Sequence, residues 1–202
     1  MTASPRRRLA PEERAGEIVA VAARQFAAHG YSATSTSEIA EDAGVTRALV
    51  HHYFGDKPGL LRAVVEAFLV DVAKVPLAPL SLPLDQRIAV NTDHWLDFAD
   101  AHRDWWIAGV NQGDALALPG VVDVTDRARS DYFRRLVRSY PDQLDGSEVE
   151  RFAVLPYLAL NQTACQHWLI GRTTREHTRL LLTDTLAHLL NAIIPALKAT
   201  AA

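Results

Sequence analysis

STSEIAEDAGVTRALVHHYFGDK, residues 35–57, reads as two short helices joined by a tight turn. Ser35 followed three residues later by Glu38 is a capping box, the serine oxygen accepting the Glu38 backbone N–H while the glutamate reaches back to the cap. A helix is therefore expected from about residue 36. Ile39, Ala40 and Ala43 fall at helical spacing, and Gly44 can take the left-handed conformation that ends a helix without Cβ strain. Val45 then turns inward and Thr46 is placed to cap a second helix. That helix carries Arg47, His51 and His52 among apolar Leu49, Val50 and Phe54, so one face packs while the other offers hydrogen-bond donors.

This is helix-turn-helix geometry, in which the second helix enters a major groove. Its setting is equally patterned: R-A-G-E-I-V-A at 14–20, F-A-A-H-G-Y-S-A-T-S at 26–35, E-I-A-E-D-A-G-V-T-R-A-L-V-H-H-Y-F-G-D-K at 38–57, then Leu60 and Leu61. Taken in that order, the run from Arg14 to Phe68 resembles the amino-terminal DNA-binding domain of the tetracycline-repressor (TetR) family, over slightly more than the first quarter of the chain. The resemblance implies an Ω-shaped, all-helical homodimer, a double-stranded operator with two-fold symmetry, and release from DNA when an effector bound in the larger domain changes the spacing of the two heads. The family usually has an aromatic residue, most often Tyr, where this chain has His51, so a role resting on that aromatic is not carried over.

Within the motif, Arg47 opens the second helix, where a guanidinium can reach guanine O6 and N7 together, a contact that discriminates by about 1 to 3 kcal/mol. Ser35, Thr36, Thr46, Tyr53 and Lys57 are hydroxyls, a phenol and an amine at helix ends, the usual set for positioning phosphates. For Ser35 and Thr46 capping and phosphate contact can both hold. Ala48, His51 and His52 complete the expected DNA-facing set. A shared metal on His51 and His52 is excluded because adjacent helical positions diverge by about 100°. No metal and no cofactor are expected.

Overall charge does not advertise a polyanionic partner: 21 basic against 24 acidic side chains give −3. Affinity for DNA must come from local arrangement. Arg6, Arg7 and Arg8, between Pro5 and Pro11, form a basic arm over residues 1–10 that is either a solubilising tail or a segment reaching phosphates or a minor groove. A single cysteine, Cys165, excludes an intramolecular disulfide. No apolar run of signal-peptide type follows the first arginines, and no eighteen uncharged apolar residues occur together. Cytoplasmic residence without a membrane is the expectation.

Working outward, a first helix is expected over 11–28, with Ile18, Ala22 and Phe26 on one stripe, and Gly30 stops it. Asp56 and Pro58 mark the start of a fourth helix whose stripe of Leu60, Leu61, Val64, Val65, Phe68 and Val72 runs until Pro76. Pro76, Pro79 and Pro83 then separate a DNA-binding head, 11–75, from a helical body, 84–199. Helices are expected over 84–101, a short piece over 105–111, and 121–140, and no segment alternates with period two. The fold class is all-α. Capping boxes at Ser147 with Glu150 and at Thr173 with Glu176 announce the last two helices. Pro156 should kink the first of these or shift its first turn.

Two further sites are expected in the body. Trp95, Phe98, Trp106, Asn111, Tyr132, Tyr157, Asn161 and Trp168 combine aromatic surface with amides that need partners if buried, the composition of a cavity for a small apolar or amphipathic effector. The last two helices are apolar on two sides, and such helices must be covered on two sides. Phe152, Leu155, Ala159, Leu182, Leu186, Leu189 and Ile193 are accordingly expected at a homodimer interface. Catalysis is not expected: Asp93, His94 and Asp97, or Cys165 and His167, are sequence neighbours that face different ways, and no phosphate loop, nucleophile elbow or metal-ligand spacing accompanies them. The function expected is a DNA-binding transcriptional regulator, in the first instance an effector-released repressor. The alternative is a ligand-independent DNA-binding protein with a structural dimerisation domain, which a densely packed body would favour.

Overall fold

Side-chain caps set where the first helices begin. In the computed structural model, which describes residues 10–104, 106, 118 and 120–201, helix α1 spans Pro11–His29, with proline in its first turn. The α2 helix spans Thr36–Asp42 and α3 spans Arg47–Phe54. Ser35 and Glu38 form both halves of the expected box, at 3.2 Å and 2.8 Å. Thr46 Oγ1 accepts the Leu49 N–H at 3.2 Å. Between α2 and α3, Gly44 sits at φ 63°; its N–H reaches Glu41 O and that of Val45 reaches Ala40 O, each at 2.9 Å. This bond pair is a Schellman ending, and it turns Val45 back toward the preceding helix.

Helix α4, Lys57–Lys74, starts at Asp56, whose carboxylate accepts the Gly59 N–H at 2.7 Å. The body follows with α5, Leu84–Ala101; α6, Val121–Ser139; α7, Glu148–Leu169; and α8, Arg175–His188. A π-helical turn at Leu189–Ile193 then runs into α9, Ile194–Ala201. Among the described residues all regular structure is helical. The short helix expected over 105–111 lies outside the described residues apart from Trp106, as does nearly all of the basic arm.

Two apolar clusters organise these helices. In the first, Ile18 and Phe26 of α1, Ile39 of α2, Val50 of α3 and Leu60, Leu61, Val64 and Val65 of α4 close around one another. Each fully buried side chain of this size contributes about 1.5 to 3 kcal/mol. The cluster also takes in Val121 and Val124 from α6, so the head core crosses the 11–75 and 84–199 division expected from the prolines. In the second, Ile88, Leu96, Tyr140, Tyr157, Leu182, Leu186 and Leu190 are central, and Phe68 of α4 packs against them. Both α4 and α6 thus run through both cores.

Several details depart from the sequence reading. The cap of α8 is Thr174, whose hydroxyl accepts the His177 N–H at 3.1 Å, and not Thr173. At the start of α7 the capping box rests mainly on Glu150: its carboxylate takes the N–H groups of Asp145, Gly146 and Ser147 while fully buried. Lys198 Nζ completes that site at 2.5 Å. Helix α7 continues through Pro156 without a break. The final helix instead widens at 189–193, just ahead of Pro195, which has no N–H to return to the carbonyl four residues back.

Candidate functional site: an exposed helix face and a cavity

The turn between α2 and α3 fixes which side of α3 meets solvent. Val50 is buried, Leu49, Tyr53 and Phe54 are half-buried, and Thr46, Arg47, Ala48, His51 and His52 are exposed. Positions 47, 48, 51 and 52 are related by steps of one and four, so they form one continuous outward strip. Arg47 makes no ion pair among the described residues. His51 Nδ1 lies 2.5 Å from Gly55 O. A carbonyl only accepts, so Nδ1 carries the hydrogen in this contact.

The other members of the expected set flank this strip. Ser35 is exposed at the start of α2 and Thr36 is half-buried beside it. Lys57 Nζ sits 4.3 Å from the Tyr31 ring centroid and 3.4 Å from Ser32 O. Its ammonium is therefore partly committed to the turn after α1. Desolvation holds the Lys57 pKa below the usual lysine value, with Glu38 acting the other way. Gly59 brings the two helices together: a Cβ there would stand 2.1 Å from Phe54 O. Sequence reading did not single out Gly59, although a glycine at the third position of a helix is its only visible mark.

In the body, a small cavity of about 50 Å³ lies under the joint between α4 and α5. Of the expected effector residues, Trp95, Tyr132, Tyr157 and Asn161 line it. Trp95 donates its indole N–H to Asn161 Oδ1 at 2.6 Å, and Cys165 Sγ lies 3.5 Å from the same oxygen. Tyr157 donates to Leu182 O at 3.3 Å. Burial raises the pKa values of Tyr132 and Tyr157 well above the ordinary tyrosine value and pushes the Cys165 thiol up to about 12. Phe98 and Trp106 stand one layer back, stacked or edge-on to Trp95 at 5.7 Å and 5.8 Å. Trp168 packs against the body core outside the lining, and Asn111 lies outside the described residues.

The sequence reading missed Asn91, Thr92, Arg135, Ser139 and Tyr140 of the polar lining. Asn91 donates to the Tyr140 hydroxyl at 3.1 Å and accepts the Ala78 N–H at 2.8 Å. Arg135 donates to Val75 O at 2.5 Å and to Pro76 O at 3.3 Å. Neither has a local motif. The available signal was that each stands one helical turn from a core-facing residue, Asn91 after Ile88 and Arg135 after Tyr132. The supposed catalytic neighbours separate: Asp93 pairs with Arg179 at 2.7 Å and Asp97 with Arg175 at 2.5 Å, fastening α5 to α8.

The expected dimer face needs correction. Leu182, Leu186 and Leu189 are buried in the chain's own core, because α8 is gripped by α5 and α7 on that side. Phe152, Leu155, Ala159 and Ile193 are exposed as expected, Phe152 to 68 %. Leu180 and Leu181 are exposed as well, at 58 % and 47 %.

With this geometry established, similarity to known proteins becomes informative. Residues 18–64 match the family described as bacterial regulatory proteins, tetR family. The HTH-type transcriptional regulator BetI of Agrobacterium fabrum is 40 % identical over 63 residues, an alignment that spans only 31 % of either chain. The HTH-type transcriptional repressor SCO4008 of Streptomyces coelicolor is 26 % identical over 166 residues, covering 79 % of this chain and 80 % of that one. A crystal structure of a tetR-family transcriptional regulator from Streptomyces coelicolor superposes with a TM-score of 0.72 at 24 % identity, over 94 % of this chain and 88 % of the other. Sequence match over the head, relatives that extend through the body and the all-helical architecture agree: residues 18–64 carry a tetR-family helix-turn-helix domain, and the chain is similar over most of its length to TetR-family transcriptional regulators.

Proposed function

We propose that this regulator is a homodimeric repressor that grips a two-fold symmetric duplex through α3 and lets go when a small, mostly apolar effector occupies the body cavity. The observation that carries the reading is the outward strip Thr46, Arg47, Ala48, His51 and His52, set on a head whose core is shared by α4 and α6 with the cavity-bearing body. One such helix reads few base pairs, so two copies about one turn of DNA or a multiple apart are needed for useful specificity. Catalysis has no part in it.

Dimerisation is supported by exposed apolar side chains on two adjoining helices, at helical spacing on α7. Phe152, Leu155 and Ala159 lie along α7, and Leu180 and Leu181 lie on α8, with Ile193 beyond them. Within Arg175–Thr200 an 18-residue window has a mean hydropathy of 1.5, yet only 28 % of that window is buried within one chain. A second copy would cover that surface as a four-helix bundle. Selection of duplexes from a random library by the full chain, followed by sedimentation of the complex, tests the reading. Enrichment of an inverted repeat bound by an even number of chains supports it; recovery of no sequence preference overturns it.

A further inference from the structure

The segment that joins head to body is held by side chains that also border the cavity. Residues 75–78 follow the last turn of α4, and their polar backbone groups are taken by three partners from the body. Arg135 of α6 donates to the carbonyls of Val75 and Pro76, Asn91 of α5 accepts the Ala78 N–H, and His94 Nδ1 lies 3.2 Å from Pro76 O. Val75 and Leu77 themselves form part of the cavity wall, with Asn91 and Arg135.

Arg135 is unusual among these groups. It is half-buried, and no carboxylate lies within ion-pair distance of it among the described residues. Burial first, and then the charge of another cation, Arg138, hold its guanidinium below the ordinary arginine value, with Tyr132 and Tyr140 acting the other way. The other lining groups that can ionise are tyrosines, which burial keeps neutral. A desolvated cation facing a cavity with no counter-charge favours an anion and repels a cation. The remaining wall, with Trp95, Tyr132 and Leu136, offers apolar and aromatic surface.

We infer that the effector is a compact organic acid, an apolar or aromatic body carrying one carboxylate, and that its carboxylate engages Arg135 and thereby withdraws the guanidinium from the Val75 and Pro76 carbonyls. Arg135 thus serves as ligand anchor and as clamp on the end of α4, and the two duties compete. Taking the clamp away leaves the Val75 and Pro76 carbonyls, just past the end of α4, without their donor, and frees the helix that carries the head. This inference rests on the proposed effector-released repression and deepens it by naming the ligand class and the group that couples the two sites.

Matched probes test it on the full chain. Phenylacetate, 2-phenylethanol and 2-phenylethylammonium share a skeleton and differ in head group, and octanoate, 1-octanol and octylammonium repeat the series on an alkyl body. Quenching of tryptophan fluorescence, to which Trp95 contributes from the cavity wall, reports binding. In at least one series the acid should bind about tenfold or more tighter than the alcohol, and the ammonium should not compete, as expected for a charge-assisted hydrogen bond. Arg135→Gln should lose that preference and Arg135→Lys should keep part of it, with both variants checked for wild-type helicity. Acid, alcohol and ammonium binding alike in both series, or none binding, overturns the inference in the wild-type chain regardless of how the variants fold. A second readout separates this from the function proposed above. Acid binding through Arg135 that leaves affinity for the selected duplex unchanged upholds the ligand class and sinks the coupling; loss of all duplex binding by the ligand-free chain would sink the regulator reading while leaving the acid preference intact.

Discussion

Lys57 places its ammonium 4.3 Å over the ring of Tyr31, tying the first residue of α4 to the turn that precedes the helix-turn-helix. The same group reaches Ser32 O at 3.4 Å and is only half-buried, so it can pass from the turn to a phosphate with little displacement. Lys57→Ala should weaken binding to all duplexes alike and lower the salt slope by about one phosphate's worth. It should also cost the head about 0.5 to 1 kcal/mol from the lost cation–π contact. Anisotropy titrations at several salt concentrations, together with thermal melts, check both. An unchanged slope would mean that the ammonium serves the turn alone.

Gly59 and Gly16 make a matched pair of opposite sign. At Gly59 an added methyl meets Phe54 O at 2.1 Å, whereas at Gly16, exposed in the middle of α1, it meets nothing within 4 Å. Gly59→Ala should destabilise the head by about 1 to 3 kcal/mol, since carbonyl and helix start must part. Gly16→Ala should stabilise it by about 0.4 to 1 kcal/mol through the unfolded chain. Denaturant unfolding gives both values. Equal effects at the two sites would show that α3 and α4 do not approach as described.

Burial of acids that must stay neutral gives the body a defined alkaline weakness. Desolvation pushes Cys165 from an ordinary 9.0 up to about 12, and it raises Tyr132, Tyr140 and Tyr157 above 10.0. A raised pKa means that the folded state holds the proton more tightly. The resulting stability is complete below the ordinary value and drains away as pH climbs through the folded one. The melting temperature should hold up to about pH 9 and fall steadily above it, and Cys165 should resist thiol reagents until the chain unfolds. Rapid labelling of native protein at pH 8 would contradict the packing around Asn161.

The dimer face proposed above predicts different outcomes for exposed and buried apolar positions of the last helices. Phe152→Glu combined with Leu180→Glu should leave a folded, monomeric chain with much weaker operator affinity. Leu186→Ala should instead unfold the body at lower denaturant, by about 2 to 5 kcal/mol, because Leu186 is buried within one chain. Sedimentation and urea melts distinguish them. A wild-type chain that sediments as a monomer at micromolar concentration would remove the dimer from the account.

How much of this was legible in the residues varies with the range of the interaction. Ser35 with Glu38, Gly44 and Thr46 act on neighbours within a turn, and the structure has each where local chemistry requires it. The stripe of α4 was equally readable, since its period is a property of one helix. Which leucines of α8 face inward was not, because a helix apolar on two sides shows no preference until α5 and α7 grip it; Leu182 and Leu186 went in and Leu180 stayed out. Asn91 and Arg135 were invisible for a related reason. Their partners at Ala78, Val75 and Pro76 are backbone groups, which carry no signature in the side-chain pattern. Ser147 and Glu150 show the intermediate case, a readable local motif whose buried carboxylate also pairs with distant Lys198.

Loss of Glu150 should therefore be felt well beyond its own helix. Glu150→Ala would leave the N–H groups of Asp145, Gly146 and Ser147 without their acceptor and Lys198 without its buried partner. Such orphaned donors cost about 1 to 3 kcal/mol. Amide exchange over 145–147 and in α9 should accelerate together; acceleration at the α7 start alone would detach Lys198 from the site.

The central claim is that the outward strip of α3 reads base pairs, and the most direct measurement is the base-preference profile of Arg47→Ala against wild type on the selected duplex and its single-base-pair variants. With Arg47 exposed and free of any ion pair among the described residues, the account predicts that discrimination falls by about 1 to 3 kcal/mol at one position per half-site, while preferences elsewhere persist. A profile that keeps its shape at every position, with affinity lowered uniformly or not at all, would contradict it.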